Sequence, residues 1–193
     1  GAQWQGAGSK YDSLVMFTLG TGVGGVIIIN GKILSGTNGS AGELGHMPIL
    51  ELPIERTCGC GSKSCLELIS SATGIKAQVK ELLEATDEPS TLRHYNGHYD
   101  ARAVFSAARN GDELSMRIVE NTSYYLGKAC ALMLLLIRGY LSLAVVFPMP
   151  VICYWNRQEP ITGSWSFHLC AIHPLLKPNW ATMQEFMEQL SLP

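Results

Sequence analysis

One imidazole and three thiols crowd the stretch from His46 to Cys65, with the thiols spaced Cys58-x-Cys60-x4-Cys65. Three thiolates and one imidazole complete the tetrahedron that Zn²⁺ takes in closed, structural sites, so His46, Cys58, Cys60 and Cys65 are a candidate metal set with no open position for catalysis. Two other readings stand beside it. Four unrelated buried residues are one, since free cysteine is commonly buried. A disulfide framework is the other, since the chain has six cysteines in all. Thiols one residue apart pair poorly but share a metal easily.

Two carboxylates flank the cluster, Glu43 and Glu67. An ionised carboxylate accepts hydroxyl hydrogen bonds and suits a polyol ligand. The bland reading makes Glu43 a cap for the turn that follows and Glu67 a solvated helix residue. Just upstream runs Leu19-Gly20-Thr21-Gly22-Val23-Gly24-Gly25. The amides of such a turn can cradle a phosphate, with Thr21 adding a hydroxyl donor; an ordinary hairpin turn is the alternative. No Gly-Lys-Ser/Thr follows, so this is not a Walker loop and has no phosphate-binding lysine. His94 and His98 fall in a polar stretch and read as surface residues. Cys130, Cys153 and Cys170 lack ligand-like neighbours.

These groups need elements to hold them. Leu14–Leu19 is a short apolar run ending in glycines and reads as a buried strand. Val26–Ile29 is a β-branched second strand, Asn30-Gly31 signals a type I′ hairpin, and Lys32–Leu34 begins the return. Ser35–Gly45 is polar and glycine-rich, the composition of a functional loop. Leu66–Ser70 reads as a turn of helix. Thr73–Glu84 reads as a helix with Ile75, Val79, Leu82 and Leu83 on one face. Ala85–Tyr99 reads as loop. Asp100 can cap a helix through Ala108, Asn110-Gly111 stops it, and Asp112 caps a long helix carrying Met116, Ile118, Val119, Tyr124, Leu126 and Ala129.

At 193 residues and 47% hydrophobic content, the chain can bury a core as one domain or two small ones. A net charge of −2 gives no electrostatic reason to bind nucleic acid or an anionic membrane. The start lacks a signal-peptide pattern and an initiator Met, so the chain is expected to begin inside a longer, cytoplasmic protein. Near Ala131 the character changes. From Gly139 onward only Arg157, Glu159, Lys177, Glu185 and Glu188 are charged. Gly139 to Trp155 carries no charge, but Pro148 and Pro150 argue against a membrane helix there.

The chain resembles the ROK family (repressors, open reading frames and sugar kinases), most closely its bacterial glucokinases. The likeness rests on Leu19-Gly20-Thr21-Gly22-Val23-Gly24-Gly25, Ala41-Gly42-Glu43-Leu44-Gly45-His46, Cys58-Gly59-Cys60-Gly61 through Cys65-Leu66-Glu67, Ala72-Thr73-Gly74 and Asn110-Gly111-Asp112. It covers roughly residues 3 to 130. It implies an α/β, actin-like and ribonuclease-H-like fold with two lobes around a cleft. It implies ATP and Mg²⁺ as cofactors beside structural Zn²⁺, with Gly20, Thr21, Gly22 and Gly24 on the nucleotide phosphates. It implies that Glu43, His46 and Glu67 face the hydroxyls of glucose or a related hexose, and that the parent enzyme is a homo-oligomer. The family's Asp-x-Gly-Gly-Thr turn and general-base Asp are not found here, so no catalytic residue is assigned. Residues 1–130 are then expected to be the second lobe, inactive alone.

Residues 131–193 depart from the family and are expected to be a frameshifted, poorly packed tail. Joining the last base of each codon to the first two of the next restores the family's pattern. Met149-Pro150 gives alanine, Trp155-Asn156 gives glutamate, Leu136 to Arg138 allows Asn-Pro, and Leu143 to Val151 allows Gly-Gly-Gly-Val-Ser-Asn-Ala-Gly. The shift would begin between about Cys130 and Leu132. Within the resemblance two rivals remain: a sugar-responsive repressor, or a kinase for fructose, mannose, allose or N-acetylmannosamine. A third is a gene remnant without activity.

Overall fold

The computed structural model describes residues 12–137 and 140–145. Strand β1 (Leu14–Leu19) turns through three residues into β2 (Val23–Ile29), which turns again into the short β3 (Lys32–Ile33). Asn30 and Gly31 carry φ of 49° and 75°, the two positive values a type I′ turn requires. The ladder pairs Leu19 with Val23 and Thr18 with Gly24, so Gly24 and Gly25 belong to β2 rather than to the turn.

Four α-helices follow among the described residues. They are α1 (Glu67–Ser70), α2 (Ala72–Ala85), α3 (Ala101–Arg109) and α4 (Glu113–Ile137). Asp100 caps α3 by accepting from the Ala103 N–H at 2.8 Å, and Gly111 ends that segment at φ 85°. Ala85–Tyr99 is not wholly loop: Thr91–Tyr95 forms a 3-10 helix whose Leu92 is buried. A single apolar residue among polar ones leaves no periodicity to read, which is why the sequence conceals it.

Strand β4 (Tyr140–Val145) lies parallel to β1, giving the sheet order β3-β2-β1-β4. Alternation sends Val15, Phe17 and Leu19 to one face, where they pack with Leu44, Leu66, Ile69, Ala129, Cys130 and Met133. A second cluster joins α2, α3 and α4 through Ile75, Val79, Val104, Ala107 and Ile118. Helix α4 passes residue 130 without a break, and Ala131 and Met133 are buried. Most of the expected divergent tail, residues 146–193, lies outside the described residues, as do the uncharged stretch beyond Val145 and residues 1–11. Among the described residues no helix is long and apolar enough to cross a membrane.

Candidate functional site

A 3-10 turn, Leu44–His46, carries His46 across the end of the β1–β2 hairpin. It can lie there because Gly45 has no side chain: a Cβ would stand 2.1 Å from the Val23 carbonyl oxygen. The chain then bridges Pro48 to Cys65 and threads the cysteine loop. That loop is tied by the Cys58 N–H to the Ser62 carbonyl at 2.8 Å and by the Leu66 N–H to the Met47 carbonyl at 3.0 Å.

His46, Cys58, Cys60 and Cys65 converge, and their donor atoms all lie within 4.8 Å of one another. His46 Nδ1 is 3.3 Å from Cys58 Sγ, and Cys60 Sγ is 3.4 Å from Cys65 Sγ. A tetrahedral zinc with sulfur at about 2.3 Å has edges of about 3.8 Å, so the four donors fit the ion with small side-chain adjustments. The three thiols are not in disulfides. Burial, aided by the Glu67 carboxylate, pushes the Cys58 thiol up to about 12. The Ser62 backbone N–H, with Cys65, draws the exposed Cys60 thiol down to about 7. Burial also raises Cys65.

The second nitrogen of His46 faces away from the sulfurs, with Nε2 3.8 Å from Glu43 Oε2. Glu43 makes no capping bond to the turn it precedes. Glu67 is not a solvated helix residue either. Its Oε1 accepts from Cys58 Sγ at 3.1 Å and its Oε2 accepts from the Val23 N–H at 3.3 Å. The carboxylate thus spans the gap between the cysteine cluster and the glycine turn.

Glu43, His46, Glu67, Gly20, Thr21, Gly22 and Gly24 line one cleft of about 330 Å³, together with Thr18 and Val23. That size lies at the lower end of small-molecule sites. Every residue singled out for ligand or phosphate contact is therefore at one place. Thr18 was missed; its signal was its alternation with the buried Phe17 and Leu19, which sends it to the opposite face. Glu51 was also missed. It accepts from Tyr125 Oη at 2.6 Å and Tyr124 Oη at 3.1 Å, and pairs with Lys128, fastening the loop to α4. Burial opposes its charge, but Lys128 and Tyr125 outweigh that and hold it down to about 2. Tyr124 is exposed on α4. His94 and His98 are at the surface.

Comparisons with known proteins place the chain in a family. The ROK family model matches residues 1–140. A glucokinase of Halalkalibacterium halodurans is 41% identical over 133 residues, covering 68% of this chain and 40% of that protein. An N-acetylmannosamine kinase of Shigella boydii is 34% identical over 131 residues, covering 67% of this chain and 40% of that protein. The chain spans about two fifths of the length of these curated relatives. A ROK family transcriptional regulator, a homolog of the E. coli MLC protein, superposes with a TM-score of 0.64 at 29% identity, covering 75% of this chain and 35% of that one. A ROK family glucokinase from Streptomyces griseus, solved with glucose and AMPPNP, gives 0.59 at 27% identity, covering 75% and 47%. With its α/β core, its convergent His/Cys group and these matches, the chain belongs to the ROK family.

Proposed function

We propose that this chain is the zinc- and sugar-binding part of an ATP-dependent hexose kinase that phosphorylates the 6-hydroxyl of glucose. The observation that carries the reading is the shared cleft, which Glu43, His46 and Glu67 line together with the glycine turn. Glu43 and Glu67 would accept hydrogen bonds from hydroxyls of the sugar, and His46 Nε2 would add a third contact. The amides of the Gly20–Gly22 turn would take nucleotide phosphates, with Mg²⁺ arriving on the nucleotide. Zinc on His46 Nδ1, Cys58, Cys60 and Cys65 would fix the ring so that Nε2 stays turned to the sugar. Catalysis in such a reaction is mainly positioning and charge stabilisation. The general base belongs to the remainder of a longer, cytoplasmic homo-oligomer, and the reading-frame change near residue 131 is part of the proposal.

The test is a titration of the purified 193-residue chain with glucose, alongside a coupled assay for ADP. Glucose binding without turnover is expected. Glucose-dependent ADP production by this chain would overturn the assignment of the base elsewhere, and absence of glucose binding would overturn the sugar site. Resequencing the source DNA tests the frame. A panel of hexoses on the full-length protein separates glucose from N-acetylmannosamine, the substrate named for a 34% identical relative. The likeness to a transcriptional regulator keeps a sugar-responsive repressor as the second reading. DNA binding by the full-length protein that is released by sugar would favour it.

A further inference from the structure

The Ala72-Thr73-Gly74 motif has no part in the sugar or metal site, yet it touches the glycine turn. The Ala72 N–H donates to the Gly20 carbonyl at 2.9 Å, and Thr73 Oγ1 donates to the Thr21 carbonyl at 2.8 Å. Ser71 caps the same helix by accepting from the Gly74 N–H at 2.9 Å, so the α2 terminus that makes these contacts is itself fixed.

A trans peptide holds its C=O and N–H on opposite sides of one plane. The Gly20 carbonyl shares its plane with the Thr21 N–H, and the Thr21 carbonyl with the Gly22 N–H. Pinning both carbonyls against α2 therefore turns both N–H groups away from it. The other groups of the turn are engaged: the Gly20 N–H donates to the Gly22 carbonyl at 2.9 Å, and the Val23 N–H donates to Glu67. The Thr21 and Gly22 N–H groups have no acceptor among the described residues, and both residues line the cleft. Two adjacent, parallel N–H groups are an anion-binding arrangement.

We propose that Thr73 is a positioning residue for the nucleotide: its hydroxyl, with the Ala72 amide, aims the Thr21 and Gly22 N–H groups at a phosphate. The inference rests on the kinase reading above. Glu67 lies beside this site, its Oε2 2.8 Å from where a Gly22 Cβ would be. That negative charge requires the phosphate to come with a divalent cation, so the probe is MgADP.

The 193-residue chain and its Thr73→Val and Thr73→Ser variants are titrated with MgADP by calorimetry, and their thermal midpoints are recorded. Valine keeps the shape of threonine and removes its hydroxyl. Thr73→Val is expected to weaken MgADP about fivefold to tenfold, the size of one hydrogen bond's contribution. Thr73→Ser should bind within about twofold of the unsubstituted chain, and all three midpoints should agree within about 2 °C. MgADP binding untouched by Thr73→Val, or weakened in Thr73→Ser as much, overturns the role of Thr73 alone. Weakening that accompanies a large fall in midpoint assigns Thr73 to general stability and overturns it likewise. No binding of MgADP by the unsubstituted chain overturns both this inference and the phosphate site of the kinase reading.

Discussion

Replacing Gly45 by alanine puts the packing of the 3-10 turn on β2 to a direct test. The new Cβ would stand 2.1 Å from the Val23 carbonyl oxygen and 2.9 Å from its carbon. Ordinary contact needs roughly an ångström more. Both partners are backbone, and Val23 is held by its ladder to Leu19, so no side-chain rotation relieves the overlap. The turn must withdraw from the strand, at a cost of about 1–3 kcal/mol. His46 is the next residue and moves with it. Its Nδ1 sits 3.3 Å from Cys58 Sγ, so a shift of that size spoils one edge of the proposed metal tetrahedron. Zinc affinity should fall about 10–100-fold, as for losses of outer support at other metal sites. Gly59→Ala is the control, because a Cβ there meets nothing within 4 Å although the residue lies between two of the thiols. Urea unfolding followed by circular dichroism gives the stability change, and competition with a chromophoric chelator gives the affinity. A Gly45→Ala chain with unchanged urea midpoint and zinc affinity would refute the reasoning. So would a Gly59→Ala chain that is damaged equally.

Asp112 accepts from Ser90 Oγ at 2.9 Å, the Thr91 N–H at 2.6 Å and the Ser115 N–H at 2.9 Å, joining the start of the Thr91 turn to the start of α4. Burial works against its charge, but the Ser115 and Thr91 N–H groups prevail and hold it at about 2, below an ordinary 3.8. Its contribution is therefore present above its ordinary value and lost as pH falls through about 2; Asp112→Asn should cost about 2 kcal/mol at pH 7 and almost nothing near pH 2, read from urea midpoints at both values. Cys65 is fully buried in the cluster, so Cys65→Ser should abolish stoichiometric zinc binding measured by elemental analysis, whereas retention of one zinc per chain would remove Cys65 from the ligand set. Chelation of the proposed zinc should expose the loop between His46 and Cys65 to limited proteolysis, with the first cut mapped there by mass spectrometry; an unchanged digestion pattern would count against a structural metal. Glu51→Gln leaves Tyr124, Tyr125 and Lys128 with a weaker acceptor, but Glu51 is nearly half exposed, so solvent limits the loss to about 1 kcal/mol in the same urea assay.

The local signals in this chain were strong wherever chemistry and turn geometry coincide. The apolar run Leu14–Leu19 forms a largely buried strand, Asn30-Gly31 takes the two positive φ values, and Asp100 and Asp112 both cap the helices they precede. The His46–Cys65 spacing brought four donors together. What stayed hidden were contacts between segments far apart in sequence. The Thr73 hydroxyl on the Thr21 carbonyl, the Tyr124–Tyr125–Lys128 grip on Glu51, and the bridging of Glu67 between Cys58 and Val23 have no periodicity or motif of their own. Each is a polar pair fixed only once packing has set the backbones. Strand β4 was hidden for a different reason: its residues, Tyr140–Val145, fall in the stretch read as a divergent tail.

That parallel pairing also sets an order of events during synthesis. The β1–β2 hairpin closes through a three-residue turn and can form within microseconds of leaving the ribosome. The other edge of β1 waits for β4, which follows only after the cysteine loop and all four helices. At about 5–20 residues per second that interval is several seconds or more. For most of it, Val15, Phe17 and Leu19 lack Ala129, Cys130 and Met133, the residues of α4 that later cover them. The nascent chain therefore carries a bare strand edge beside an apolar sheet face far longer than it takes to make the hairpin, the kind of surface that chaperones bind and that nucleates aggregates when they do not.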